Sequence, residues 1–368
     1  MSKLRVGVIF GGRSGEHDVS LMSGRSVMSA LDPSKYEIVP IAITHEGRWL
    51  SGSDALDGLQ NGRIDDLIPV VMLAEPGSRS LYRWDEGKAL EVLATIDVVF
   101  PLIHGSFGED GTLQGLLELA ELPYVGSGVL ASAVAMDKGL FKSLMRAHGV
   151  PVLDFTVLSS AQMENDPDLA LDQAEAVAPY PLFTKPANLG SSVGVSKCRS
   201  RSDLVEGMLD ALRYDRRVLV ERGLEAREVE VSVLGNEEPQ ASVAGEVVPS
   251  DEFYSYRAKY LDDASELRIP APIDQATTEE ARRLALIAFH AIDGAGMARV
   301  DFLLDKTTGE LFLSEVNTIP GFTRISMYPK LWQASGVTYP NLLDRLIDLG
   351  VRRHAQMERL VREYGGEA

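Results

Sequence analysis

Four polar side chains, Arg299, Asp301, Glu315 and Asn317, lie in two apolar, β-prone runs at 300–304 and 311–316, around the turn-forming Asp305-Lys306-Thr307-Thr308-Gly309-Glu310. That composition predicts a hairpin. Alternation along a strand puts Arg299 and Asp301 on one face, and Glu315 and Asn317 on one face of the other run. Phe302, Leu304, Phe312 and Val316 are then expected to feed a core. Two carboxylates and an amide oxygen are hard donors, the kind that hold Mg²⁺ against nucleotide phosphates. On the hairpin alone, a solvated face with one Arg299–Asp301 ion pair stands level with this reading.

Other stretches offer matching chemistry. A short apolar run at 4–10 leads into Gly11-Gly12-Arg13-Ser14-Gly15, and then a helical pattern with Val19, Met22, Val27 and Leu31 on its apolar side. A strand, a Gly-rich loop and a helix suit an anion at the helix N-terminus, but the loop is not G-x-G-x-x-G, so a dinucleotide is weakly supported. Glu16 at that junction reads equally as an acid favoured by the helix dipole. A second strand, 98–103, ends in His104-Gly105-Ser106-Phe107-Gly108-Glu109-Asp110-Gly111 before a helix at 112–122. An acid-bearing loop at the C-terminal end of a parallel strand is where open α/β sheets bind ligands.

The elements between these stretches must position them. A strand at 36–43 is followed by a polar segment, 45–88, that elaborates the first domain with a short hairpin, and 123–126 starts a further strand. A single helix is expected over 131–148, carrying Asp137 and Lys138, then a strand at 152–158 and an acidic helix at 166–178. Lys185 ends a strand at 181–186 before the Gly/Ser loop 187–195, whose backbone N–H groups can fold over phosphates. A lysine there is also an ordinary snorkelling edge residue. Strand 218–220 ends at Glu221, and with Arg222-Gly223-Leu224 it can hydrogen-bond a purine edge. Two antiparallel strands, 228–234 and 241–248, turn about Gly235-Asn236. The aromatic and charged run 253–263 reads either as a lid or as a surface loop. A helix at 277–293 precedes the hairpin, and an amphipathic one at 339–364 follows it.

Composition sets the bounds. At 368 residues, two or three domains are expected. With 45% hydrophobic and 24% charged residues, the chain has the make-up of a soluble globular protein. Its formal charge of −18 argues against binding a nucleic-acid backbone, and no apolar run reaches the length that spans a bilayer. Opening directly into a strand, it shows no signal-peptide pattern. One cysteine, Cys198, agrees with a reducing cytoplasm.

The segments GGRSGEHDVSLMSG, HGSFGEDGTLQGLLE, MDK, KPANLGSSVGVSK, FYSYRAKY, RVDFLLD and SEVNTIPGFTRISMYP follow one another in the order found in D-alanine–D-alanine ligases of the ATP-grasp superfamily. The chain closely resembles that family from about residue 4 to 350. The resemblance implies an α/β fold, α+β in parts, with three domains. These are an N-terminal parallel-sheet domain (1–137), a central ATP-grasp domain (138–222) and a C-terminal one with lid and metal hairpin (223–368), with ATP between the last two. It implies ligation of two D-alanines through an acyl phosphate, for peptidoglycan synthesis in a bacterial cytoplasm, by a homodimer that binds neither nucleic acid nor membrane. The cofactors it implies are ATP and two Mg²⁺ ions, with Mn²⁺ as a substitute.

Residue by residue, Glu16 resembles the carboxylate holding the first D-alanine's ammonium, with Ser191 and Tyr260 as its hydrogen-bond partners under the lid. Lys138, Lys185, Ser192 and the lid Lys259 match nucleotide-phosphate positions, and Glu221, Leu224 and Glu228 the adenine and ribose positions. Asp301, Glu315 and Asn317 match the metal ligands, and Arg299 with the Gly321 N–H the oxyanion stabilisers. Ser326 and the Met327 backbone match the site for the second substrate's carboxylate, and His104 lies in a loop near the substrates. The position of Met327 more often carries leucine, and the length of 45–95 suggests a long-form ligase. An aromatic lid with Tyr260 favours an amine as the second substrate. Against this stand a ligase using D-serine, D-lactate or another amino acid, a Rossmann-type oxidoreductase that would leave the hairpin unused, and a non-catalytic nucleotide-binding module.

Overall fold

The computed structural model describes residues 3–190, 193–248, 266–323 and 325–361. The lid run 253–263, Ser191, Ser192, Lys259 and Tyr260 therefore lie outside the described residues. Among the described residues the strands form three sheets, and a polar cleft lies where they meet.

The first sheet has a parallel centre. Strand β1 (Leu4–Gly11) pairs in parallel with β2 (Tyr36–Ile43) and β7 (Val98–Pro101). Apolar on both faces, as buried parallel strands are, β1 delivers its Gly-rich loop to helix α1 (His17–Ala30). The segment 45–95 builds more than a short hairpin. Strands β3 (Trp49–Ser51), β4 (Ile68–Met72), β5 (Ser80–Arg83) and β6 (Glu91–Thr95), with helix α2 (Ala55–Gln60) between β3 and β4, extend the sheet antiparallel from β2. On α1 it is Leu21, not Met22, that joins Val19 and Val27 inside; Met22 is 37% exposed. Helix α3 (Thr112–Leu119) follows the His104 loop, and the strand expected at 123–126 is a single bridge from Val99 to Tyr124.

The helix expected over 131–148 is two helices, α4 (Val129–Met136) and α5 (Lys138–Ala147). Asp137 interrupts them in extended conformation, and its carboxylate accepts from Leu140 N at 2.9 Å, capping α5. The same carboxylate is ion-paired with Arg217 and accepts from Asn188 Nδ2 at 3.1 Å, so the break ties the helix to the second sheet. That sheet is antiparallel, in the order β10 (Ser196–Cys198), β9 (Leu182–Pro186), β11 (Arg217–Arg222), β8 (Phe155–Ser159). The acidic helix expected at 166–178 is α7 (Pro167–Glu175), preceded by a further short helix, α6 (Ser160–Asn165), and α8 (Arg201–Ala211) packs with them under this sheet.

The third sheet is also antiparallel: β14 (Glu266–Arg268), β13 (Gln240–Val248), β12 (Ala226–Gly235), β15 (Gly296–Asp305), β16 (Leu311–Asn317). Helix α9 (Gln275–Ala291) buries Ala281, Leu284, Ala285, Ala288 and Phe289 against it, and Phe141 and Met145 of α5 join the same core. The β15–β16 hairpin forms as its composition predicts, with one change of register. Asp301 pairs with Glu315, but Phe302 pairs with Leu313, so a bulge absorbs one residue. Alternation is reset there: Leu311, Leu313 and Val316 are buried, while Phe312 lies outside the core with the Arg222 guanidinium 5.2 Å from its ring centre.

After the hairpin come α10 (Met327–Ala334), a helix the sequence patterning did not reveal, and α11 (Tyr339–Met357), which ends before 364. Both pack against the first sheet. Phe322, Tyr328, Trp332, Leu342, Leu343, Leu346 and Ile347 share a core with Val6, Val8, Phe10, Val98 and Phe100. Among the described residues no helix is long and apolar enough to cross a membrane.

Candidate active site

One cleft is lined by Glu16, Glu109, Lys138, Gly190, Arg299, Glu315 and Asn317, together with neighbouring backbone. Each sheet or its adjoining loops supplies part of this wall. Five of the sequence-singled residues, Glu16, Lys138, Arg299, Glu315 and Asn317, thus meet although 301 positions separate the first from the last.

Glu16 is buried at the head of α1, yet its carboxylate does not cap the helix. It lies against two glycines: a β-carbon at Gly105 would stand 2.5 Å from its Oε2, and one at Gly190 3.5 Å. Gly105 has φ +71°, so both its backbone shape and this close approach call for glycine. Glu16 therefore faces the Gly/Ser loop at Gly190.

The loop after β16 is held by side chains of the first domain. Glu109 accepts from Gly105 N at 2.7 Å with one oxygen and from Ile319 N at 3.0 Å with the other. His104 is buried, with Nδ1 3.0 Å from the Ile319 carbonyl and Nε2 2.9 Å from Ser23 Oγ. A carbonyl only accepts, so Nδ1 carries the proton and Nε2 accepts from Ser23. Ser23 Oγ in turn accepts from Phe322 N at 3.2 Å. Three side chains thus fix the backbone of 319–322, and with it Gly321. Burial keeps His104 below the ordinary histidine range. Withdrawal from water, then the nearby Glu16 charge, push Glu109 up to about 8. His104 faces the interior and ties this loop to Ser23 of α1. Gly321 is buried with Ser326 behind it: a β-carbon at 321 would meet Ser326 Oγ at 2.7 Å, and that oxygen accepts from Thr323 N at 3.0 Å. Met327 is buried beside Val247 and Leu331 and opens α10.

On the third sheet, Arg299 grips Asp301 with two bonds, Nε to Oδ1 at 2.7 Å and NH2 to Oδ2 at 2.6 Å, and its Nε lies 3.1 Å from Glu230. Asn317 donates from Nδ2 to Asp301 Oδ2 at 3.0 Å, which leaves its amide oxygen as the atom a cation would take. Among the described residues no three His, Cys, Asp or Glu side chains are grouped for a metal. The candidate set is instead Asp301 and Glu315, cross-strand partners, with the Asn317 amide. Two hard carboxylates and an amide oxygen, with Glu315 and Asn317 on the cleft wall, fit an oxygen-seeking divalent cation. Glu228 and Glu230 stand on the neighbouring strand β12, opposite Leu303 and Asp301, with Glu228 and Glu230 on the same face.

Lysines gather on α5 and the facing second sheet. Lys138 donates from its backbone to Ala187 O at 2.9 Å and from Nζ to Leu189 O, so it holds both ends of the first half of the Gly/Ser loop. Lys185 on β9 is ion-paired with Glu221 at the end of β11, and Lys142 of α5 lies 3.0 Å from the other Glu221 oxygen. Burial alone would push Glu221 up, but Lys142 and Lys185 outweigh it and hold the carboxyl down at about 2. Burial likewise opposes the charge on Lys185, yet Glu221 keeps it above the ordinary lysine range, while Lys142 is drawn below it by burial. Leu224 sits in the connection from β11 to β12.

Sequence reasoning marks the acid-bearing loop that holds Glu109 without assigning it a partner, and does not single out Lys142 or Glu230. Lys142 carried a signal, standing four residues after Lys138 and so on the same helix face. Glu230 alternates with Glu228 and so shares its face. For Glu109 the partner is Ile319, 210 positions away, and no local pattern reveals it.

Comparison with known proteins covers nearly the whole chain. Residues 5–127 match the family described as D-ala D-ala ligase N-terminus, and 144–348 the one described as D-ala D-ala ligase C-terminus. The chain is 50% identical over 356 residues to a D-alanine–D-alanine ligase of Thermoanaerobacter sp. (strain X514), covering 96% of this chain and 98% of that one. Among solved structures, the D-alanine-D-alanine ligase from Coxiella burnetii superposes with a TM-score of 0.84 at 36% identity, covering 98% of each chain. The VanG D-Ala:D-Ser ligase from Enterococcus faecalis gives 0.85 at 34%, covering 95% of this chain and all of that one.

Proposed function

The chain belongs to the D-alanine–D-alanine ligase family, and from that premise we propose that it joins two D-alanines into D-alanyl-D-alanine for peptidoglycan synthesis, using ATP. The observation that carries this reading is the convergence of Glu16, Lys138, Arg299, Glu315 and Asn317 on one cleft. The first D-alanine's carboxylate attacks the γ-phosphorus of ATP, releasing ADP and leaving an acyl phosphate. The second D-alanine's amine then attacks the acyl carbon, and the tetrahedral adduct expels phosphate.

Glu16 would receive the first substrate's ammonium, with Ser191 and Tyr260 completing that end. Lys138, Lys185, Ser192 and Lys259 would contact the nucleotide phosphates, and Glu221, Leu224 and Glu228 its base and ribose. Asp301, Glu315 and Asn317 would hold two Mg²⁺ ions, for which Mn²⁺ can substitute, and these neutralise phosphate charge when bound. Arg299 and the Gly321 N–H would stabilise the developing oxyanion. Glu109, His104 and Ser23 support that role by fixing the 319–322 backbone. Ser326 and the Met327 backbone would take the second carboxylate. The assignments accompany a division into domains at 1–137, 138–222 and 223–368, and a cytoplasmic homodimer.

The test is ATP- and Mg²⁺-dependent phosphate release with D-alanine alone, with the dipeptide identified by mass spectrometry. D-alanyl-D-alanine is the expected product. Turnover only when D-serine or D-lactate is added would keep the mechanism and move the second substrate, as the VanG likeness allows. The Glu315→Ala variant should lose at least about 10²-fold in kcat while remaining folded; full activity would remove the metal assignment.

A further inference from the structure

Glu221 is served by two lysines where one suffices to balance its charge. Lys185 reaches Oε1, and Lys142 faces Oε2 at 3.0 Å. The two differ in freedom. Lys142 is 2% exposed on α5, enclosed between the second sheet and the third-sheet core. The Lys185 side chain is 20% exposed and also feels Glu315 and Glu228 on the opposite sheet. Without ligand, the burial of Lys142 outweighs the attraction of Glu221 and Glu315, so this second ammonium costs stability rather than adding it.

The surplus becomes a requirement once Lys185 turns to a phosphate. A carboxylate 2% exposed, stripped of its cation, would take up a proton and lose its acceptor character. Lys142 is walled in and cannot follow Lys185. It stays on Oε2 while Oε1, vacated by Lys185, becomes available to an N–H donor of the ligand.

Resting on the nucleotide assignment above, we propose that Lys142 is a positioning residue for base recognition: it keeps Glu221 ionised, with Oε1 aimed at the 6-amino group of adenine, after Lys185 has moved to the phosphates. Preference for a 6-amino over a 6-oxo purine then depends on a lysine that touches no part of the nucleotide. Helix α5 thereby serves both ends of the nucleotide, Lys138 through the Gly/Ser loop and Lys142 through Glu221.

The experiment compares ATP with ITP as phosphoryl donor in D-alanine-dependent phosphate release, in wild type, Lys142→Met, Glu221→Gln and the double variant. Wild type should favour ATP by at least about 10-fold in kcat/KM, since ITP offers a carbonyl to a carboxylate. Lys142→Met should lose about 10-fold of that preference through a raised KM for ATP, with kcat at saturating ATP and KM for D-alanine little changed. Glu221→Gln, whose amide can accept or donate, should already have lost the preference, so adding Lys142→Met should change it no further. A folded Lys142→Met with wild-type preference, or an equal further loss in the Glu221→Gln background, overturns the proposal. Should Lys142→Met fail to fold, the ¹³C carboxyl resonance of Glu221 in the wild-type ADP–Mg²⁺ complex decides: ionised at neutral pH supports it, protonated overturns it. Equal use of ATP and ITP by wild type removes Glu221 from the base and Lys142 with it. No turnover with ATP at all removes the ligase reading itself.

Discussion

Two glutamates withdrawn from bulk water, Glu109 lining the cleft and Glu221 buried at the second sheet, are held in opposite ways. Glu109, between the first sheet and the 319–322 loop, meets two backbone N–H groups, but its burial and the charge of Glu16, which outweighs the more weakly felt Arg299, push it up to about 8. Glu221, between the second sheet and α5, has two lysines and is held at about 2. Burial opposes ionisation in both, so burial does not decide between them. The sign of the nearest full charge does, and neutral N–H donors do not override it. One carboxyl clasps a loop; the other anchors cations.

The contrast should be largest in stability. Glu221→Gln strands two lysines and is expected to cost about 3–5 kcal/mol in chemical denaturation. Glu109→Gln leaves one N–H without its acceptor but strands no charge, and should cost about 1–3 kcal/mol. Equal losses would sink the distinction.

The pH dependence sharpens it. Glu109 holds its proton more tightly folded than unfolded, so its contribution is fully present below the ordinary carboxylate range and fades as pH rises from about 4.5 to about 8. Glu221 does the reverse, stabilising above about 4.5 and losing that contribution as pH falls towards about 2. In thermal melts of the ligand-free protein, the wild-type advantage over Glu109→Gln should therefore shrink towards alkaline pH. The advantage over Glu221→Gln should shrink towards acid pH. Parallel curves for the two variants would contradict the assignment of neighbours.

The smallest effect isolates one neighbour. Glu16→Gln removes the anion beside Glu109 while leaving its burial intact, and burial is the larger cause. The Glu109 midpoint, followed by ¹³C carboxyl NMR, should move down without reaching the ordinary range. An unmoved midpoint would mean that Glu16 does not act on it.

The sequence was most legible where chemistry and periodicity coincide. Alternation in the hairpin put Arg299, Glu315 and Asn317 on the cleft, with Asp301 beside them as the cross-strand partner of Glu315. It misplaced Phe312, because a bulge shifts the register of β16 by one residue and no composition rule announces it. The break at Asp137 was hidden for a related reason. An aspartate inside a helical pattern becomes a cap only when Arg217 and Asn188 arrive to hold it. Partners distant in sequence also explain why Lys142 and the contact of Glu109 with Ile319 were hidden, whereas the ordered family motifs already pointed to the family.

The shared core of 6–125 with 319–349 has a consequence for synthesis. Translation proceeds from the N-terminus, and early domains commonly fold as they emerge. Here the nascent first sheet lacks Phe322, Trp332, Leu342, Leu343 and Leu346 until roughly two hundred further residues have been made. Its apolar face must wait on the ribosome without its natural cover, which makes this intermediate a substrate for chaperones and the point at which premature termination would yield aggregates rather than a folded fragment.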